Sequence, residues 1–279
     1  MPHSPLSSES SQPGNYRQPS LFISHGSPDL ILAQTEASVF LRNLNHRLTG
    51  YTCQPDAILV ISAHWETPSP VVAITAAEHP ATIHDFYGFP DELYRIHYPA
   101  PGAPDLARSI QQHLITENID ARLHPSRGLD HGVWSPLAMI WPDADIPVIQ
   151  ISLPRNMPEQ IYWQLGLALR PFRCKNCLII GSGSATHNLS SLRLAHSRHQ
   201  QPDPSATEFI HWLHQAVIQE DKAALLDYKN APYGQWHHPT PEHFLPLLVA
   251  AGAGQGSEGQ VLHDSYDYGF LSMASYIWQ

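Results

Sequence analysis

Short, nearly continuous apolar runs alternate along this chain with longer amphipathic stretches, and the two patterns predict different elements. The runs at 20–26 (SLFISHG), 57–64 (AILVISAH), 70–76 (PVVAITA), 147–153 (PVIQISL) and 177–184 (CLIIGSGS) are bounded by turn residues and read as buried strands. Segments 31–48, 104–117, 158–172 and 205–221 space apolar residues three and four apart, the period of a helix with one buried face. The last opens with Ser205 and carries Glu208 three residues on, which matches a capping box. A further apolar helix, FLPLLVAAGAG, follows Thr240-Pro241-Glu242; Thr240 is the expected N-cap, which places His243 in the first turn.

Strands alternating with helices predict an α/β fold: one domain, with a mostly parallel central sheet and helices on both faces. A chain of 279 residues, 42% of them hydrophobic, is long enough to bury a large core of this kind. Residues 1–18, polar and rich in Ser and Pro, read as a flexible tail, leaving 19–279 as the folded domain. Segments 83–102 and 125–147 carry aromatic residues, Pro and Gly but little regular period, and read as long loops shaping a pocket.

Composition narrows the function. A net charge of −10 with no basic run excludes a nucleic-acid partner, whose phosphates call for clustered cations. No apolar stretch approaches the ~18 residues of a membrane span. The N-terminal stretch lacks the apolar region of a signal peptide, and three cysteines make no disulfide framework, so a cytoplasmic location is expected. The pair in CKNC, Cys174 and Cys177, reads as structural, because its second member starts a strand. No pattern specifies an oligomeric state.

Histidine changes the picture most: 19 residues, against 15 Lys and Arg together. Imidazole is the commonest metal ligand and the side chain best poised to move protons near neutral pH. His25, His64 and His187 each follow the carboxyl end of an expected strand, where the ligand crevice of such a sheet lies. His243 heads the apolar helix, and His131 lies in GLDHGVW, a tight glycine-flanked loop suited to an acid, a base or a hydrogen-bond donor.

The motifs SHGSP, SAHW, TIHDFYGFPDELYRIHYPAPG, GLDHGVWSPL, GSATHNL and HPTPEHFLPLL occur in that order. Together they resemble the DOPA-dioxygenase branch of the class III extradiol ring-cleavage dioxygenases, over a span from about residue 20 to the C-terminal YDYGFLSMASYIW, which is similar to the family's closing strand region. The resemblance implies that 19–279 is an extradiol dioxygenase catalytic domain. It implies a non-haem Fe(II) site that opens a catechol ring beside its two hydroxyls with O₂.

By the same resemblance, His25, His64 and His243 match metal ligands, and His187 matches the histidine that handles protons or adds a ligand. His131 matches a pocket histidine near the substrate hydroxyls. The wider class uses two histidines and a carboxylate, so Glu242 is the alternative to His243; neighbouring helix residues point about 100° apart, so one of the two is expected to coordinate. Imidazoles bind Zn(II) at least as tightly as Fe(II), so zinc is an expected competitor for the site. Two other readings fit the same residues: a zinc-dependent hydrolase, and a metal-binding protein without catalysis. DOPA, caffeate-like acids and simpler catechols all fit, with Arg95 and Arg127 as candidate partners for a substrate carboxylate.

Overall fold

The computed structural model describes residues 17–192 and 195–279. Ten strands and nine helices alternate through them: β1 (Ser20–Ser24), α1 (Glu36–Leu48), β2 (Ala57–Thr67), β3 (Val72–Thr75), α2 (Pro104–Thr116), β4 (Ala121–His124), α3 (His131–Ile140), β5 (Val148–Pro154), α4 (Glu159–Leu169), β6 (Cys177–Gly183), α5 (Leu189–Leu192), α6 (Pro204–Ile218), α7 (Lys222–Leu226), α8 (Gly234–His237), α9 (Leu245–Gly254), β7 (Gly259–His263), β8 (Tyr266–Asp267), β9 (Leu271–Ser272) and β10 (Ser275–Trp278). Eight strands form one sheet in the order β4-β3-β5-β2-β6-β1-β10-β7, and β8 and β9 pair separately. The centre, β5-β2-β6-β1, is parallel, while β3 against β5 and both contacts of β10 are antiparallel. The expected single-domain α/β architecture is therefore present.

The central strands are covered on both sides, which is why their sequences are near-continuous apolar runs. One core lies between the sheet and α2, α4, α6 and α9; the other lies under α1 and α3. In α1 the buried Ala37, Phe40, Leu41, Leu44 and Leu48 follow the helical period, and Thr35 and Ser38 close a capping box at its start. Every residue of α9 is buried, so it has no polar face.

Several elements differ from expectation. The amphipathic stretch 31–48 begins as a 3-10 turn, Pro28–Leu32, before α1. The cap of α6 is Asp203, which accepts from the Ser205 amide; Ser205 is already inside the helix, so the Ser205–Glu208 box does not form. Helix α9 starts at Leu245, so Thr240–His243 form a preceding turn and Thr240 gives its hydroxyl to Glu242 (2.9 Å) instead of capping. The stretch 125–147 holds a whole helix, α3, and His131 is its first residue rather than a loop position. Gly132 and Pro136 hide that helix in the sequence. Of the expected tail, residues 1–16 lie outside the described residues; Gln18 is buried and its amide donates to the Arg173 carbonyl (3.0 Å).

Candidate metal centre

Sheet register brings the first two histidines together. Ile23, Ser182 and Ser62 stand at one level on adjacent parallel strands, as Ile23 pairs with Ser182 and Ser62 pairs with Ser182. Two residues further along, one pleat, His25 and His64 leave the sheet on the same face. Their Nε2 atoms are 3.0 Å apart. Strand β2 runs three residues past His64, to Thr67, but its pairing with β5 breaks between Ile61 and Glu66, which frees this segment to turn its side chains inward.

The other three histidines converge on the same place. The His64 and His131 rings lie 4.0 Å apart, His64 and His243 4.9 Å, and His25 and His243 5.5 Å. His187 stacks on His243 at 3.4 Å, 10° from parallel. Ligand atoms fall into two adjoining groups, His25 with His64 and His131, and His187 with Glu242 and His243, each spanning no more than 4.8 Å. The close approach of His243 depends on Gly183: a Cβ there would stand 2.2 Å from the His243 carbonyl, which accepts from the Ser184 amide (3.0 Å). Gly132 likewise leaves room for Ser62 and His64, which a Cβ would meet at 2.6 and 2.9 Å.

The hydrogen bonds behind the rings fix which nitrogen faces the centre. Ser182 donates its hydroxyl to the Gly132 carbonyl, so towards His25 Nδ1, 3.0 Å away, it can only accept. His25 therefore carries its proton on Nδ1 and turns a bare Nε2 inward. The Gly132 carbonyl is available because Pro136, four residues on in α3, has no N–H to give it. His131 Nδ1 donates to Asp85 Oδ1 (2.9 Å), which also accepts from the His131 backbone amide (3.0 Å). His243 Nδ1 lies 3.0 Å from Glu242 Oε1.

Asp85 thus places an anion at the N-terminus of α3, where the helix dipole favours it. Its other oxygen is 3.8 Å from His64 Nδ1. Burial raises the Asp85 pKa, but the hydrogen bonds and charge of His131 outweigh this and hold it at about 2. Behind it, Asp130 is fully buried and receives Ser62 Oγ (2.7 Å), the Gln150 amide and Arg127 (3.1 Å). Burial and the Asp85 charge raise its pKa. Arg127 also lies on the Trp65 ring at 4.6 Å, with its Nε unpartnered among the described residues; Arg95 is exposed.

Desolvation, then the neighbouring rings, lower the pKa of His25 and His243 well below the ordinary imidazole value, and desolvation takes His64 to about 3. Burial lowers His187 as well. Neutral imidazoles gathered in two adjoining groups are donors of the type a divalent cation requires, and the residues fit such an ion. Phe86 meets His131 edge-on at 5.6 Å and packs against Tyr94 and, behind it, the fully buried Trp134.

The sequence reading singled out all five histidines and the structure brings them to one place. It missed Asp85, whose signal was a lone acid in the aromatic run IHDFYGF. It also missed Ser62, Gln150 and Ser182, polar residues inside otherwise apolar strands, where burial demands a partner.

A histidine-rich pocket at the carboxyl edge of a parallel sheet, with an aromatic approach, defines an α/β protein built to hold a metal beside a flat substrate. The chain matches the family model of the catalytic LigB subunit of aromatic ring-opening dioxygenases over residues 3–278, and it belongs to that family. It is 40% identical over 259 residues to a 4,5-DOPA dioxygenase extradiol of Beta vulgaris, covering 91% of this chain and 94% of that one. A protein of the same description from Escherichia coli is 36% identical over 93% of this chain and 94% of its own length. The crystal structure of an uncharacterized protein from Escherichia coli K12 superposes with a TM-score of 0.75 at 30% identity, over 94% of this chain and all of the other. The protein is an extradiol ring-cleaving dioxygenase, which sets aside the hydrolase and non-catalytic readings. Among the described residues no helix is long and apolar enough to cross a membrane.

Proposed function

We propose that the enzyme opens the ring of DOPA or a closely related catechol with O₂, and that iron(II) is the metal that serves it. The observation that carries this reading is the convergence of His25, His64 and His243, all neutral by burial, beside His131 and the Phe86 ring. The shared description of the relatives, 4,5-DOPA dioxygenase extradiol, supports the substrate class.

His25, His64 and His243 would hold the metal. Glu242 accepts from His243 Nδ1 and from Thr240, a supporting position that favours His243 over Glu242 as the ligand. When bound, iron(II) supplies open positions for the two catechol oxygens and for O₂, and a redox step that no side chain here can supply. His187, half-buried and stacked on His243, is placed to take a phenolic proton and return one as the ring opens. His131, with Nδ1 committed to Asp85, presents Nε2 to the substrate hydroxyls as acceptor. Phe86, edge-on to His131 and backed by the buried Trp134, is placed beside the substrate ring. Three free cysteines, two of them exposed, support a reducing cytoplasmic setting.

Anaerobic loading with Fe(II), followed by L-DOPA in air, tests the reading. O₂ uptake with a yellow ring-opened semialdehyde is expected, and zinc-loaded protein should give neither, because zinc has no accessible redox step. Equal turnover with both metals, or none with any catechol, would reject it.

A further inference from the structure

Three consecutive residues, Trp236, His237 and His238, clasp three others, Ala185, His187 and Asn188. His187 donates its backbone amide to the His237 carbonyl (2.9 Å), and Asn188 Nδ2 donates to the Trp236 carbonyl (2.6 Å). Between them, His238 Nε2 lies 2.9 Å from the Ala185 carbonyl. A carbonyl only accepts, so Nε2 of His238 carries the proton. Its Nδ1 is buried without a partner among the described residues, and the ring sits among Phe209, Tyr228 and Phe244, 5.0 to 5.7 Å between centroids. His238 is 3% exposed.

This geometry sets His238 apart from the five clustered histidines. Its one donor is spent on a backbone carbonyl and its other nitrogen is enclosed by aromatic rings, so it neither reaches substrate nor faces the metal centre. What it holds is segment 185–188, which ends in the ring stacked on His243. The same short stretch, 236–243, thus carries both a proposed ligand, His243, and the side chain bonded to the Ala185 carbonyl.

We infer that His238 is a positioning residue for ring cleavage: its bond to Ala185 sets where His187 stands for proton transfer. The inference rests on the proton-transfer role proposed for His187. A loose clasp would let the His187 ring drift from its stacked position, and an acid–base group displaced by about 1 Å loses on the order of 100-fold in rate.

The test compares His238→Gln with His238→Phe. The Gln amide nitrogen lies as many bonds from Cα as Nε2 and keeps the donor; Phe keeps the ring and loses it. In His238→Phe, hydrogen–deuterium exchange of the metal-free protein should quicken over 185–188, where the His187 amide is bonded. In the iron-loaded protein kcat should fall about 10- to 100-fold with iron content and KM unchanged. His238→Gln should restore both readouts to near wild type. Equal behaviour of the two variants, unchanged exchange and kcat in His238→Phe, or iron loss in proportion to activity would overturn the inference. His187→Ala runs beside them: if it keeps full turnover, the reading of His187 fails instead, whatever the His238 variants do.

Discussion

The rings of His187 and His243 lie face to face, 3.4 Å apart and 10° from parallel. Two imidazoles so placed cannot both carry charge without strong repulsion, and each lowers the tendency of the pair to hold a second proton. The arrangement suits a division of labour, with one ring bound to metal as a neutral ligand and the other cycling a single proton.

His187→Ala should therefore separate the two tasks. Iron stoichiometry and catechol binding should persist, while kcat and kcat/KM fall together by roughly 10²- to 10⁴-fold, the usual worth of a positioned acid–base group. Metal analysis beside steady-state kinetics decides it: iron lost in step with activity would make His187 a ligand.

His25→Ala and His64→Ala each remove one of two nitrogens that meet at 3.0 Å. Either variant should lose bound metal, read by elemental analysis after gel filtration, with far-UV circular dichroism unchanged. A variant that retains stoichiometric metal would remove that residue from the ligand set.

Asp85→Asn keeps the size of the side chain and removes the charge that faces His131, His64 and the start of α3. Partners behind metal-site histidines are typically worth 10- to 100-fold in metal affinity or activity, and a loss of about that size is expected. Stability should fall by only ~0.3–1 kcal/mol, the usual contribution of an anion at a helix N-terminus. Chelator competition and urea unfolding measure the two effects separately.

His263, far from the cluster, stacks on Phe40 at 4.4 Å, and burial lowers its pKa from 6.5 to about 4. Between these values the unfolded chain takes up a proton that the folded state resists. Acidification from pH 6.5 towards 4 therefore costs stability, by at most ~1.4 kcal/mol per pH unit from this residue. His263→Phe, which preserves the stack, should flatten that slope in urea unfolding of the metal-free protein; an unchanged slope would assign the acid loss to other groups.

The sequence made the centre of the fold legible because the parallel strands are buried on both faces and their patterns are unambiguous. Strands β1, β2, β3, β5 and β6 all fall inside the expected runs to within a few residues. Strand β4, with its alternately buried and exposed residues at the sheet edge, carries too short a pattern to stand out. Helix α3 was hidden by Gly132 and Pro136, which weigh against a helix locally but are offset by nearly complete burial. In the site, the histidines announced themselves by chemistry and position. Asp85 and Ser182 did not, because their role exists only once distant segments meet: position 85 against 131, and position 182 against 25 and 132.

Pro136 shows how far such a role can reach. By withholding one backbone hydrogen it leaves the Gly132 carbonyl open to the Ser182 hydroxyl and so sets the direction in which that hydroxyl donates. That direction decides which edge of His25 is offered inward. An amide at position 136 would share the Gly132 carbonyl and loosen this dictation. A residue that local helix preference would reject thereby acts as a polarity setter, converting a gap in one helix into the handedness of protonation on a ring in the neighbouring sheet.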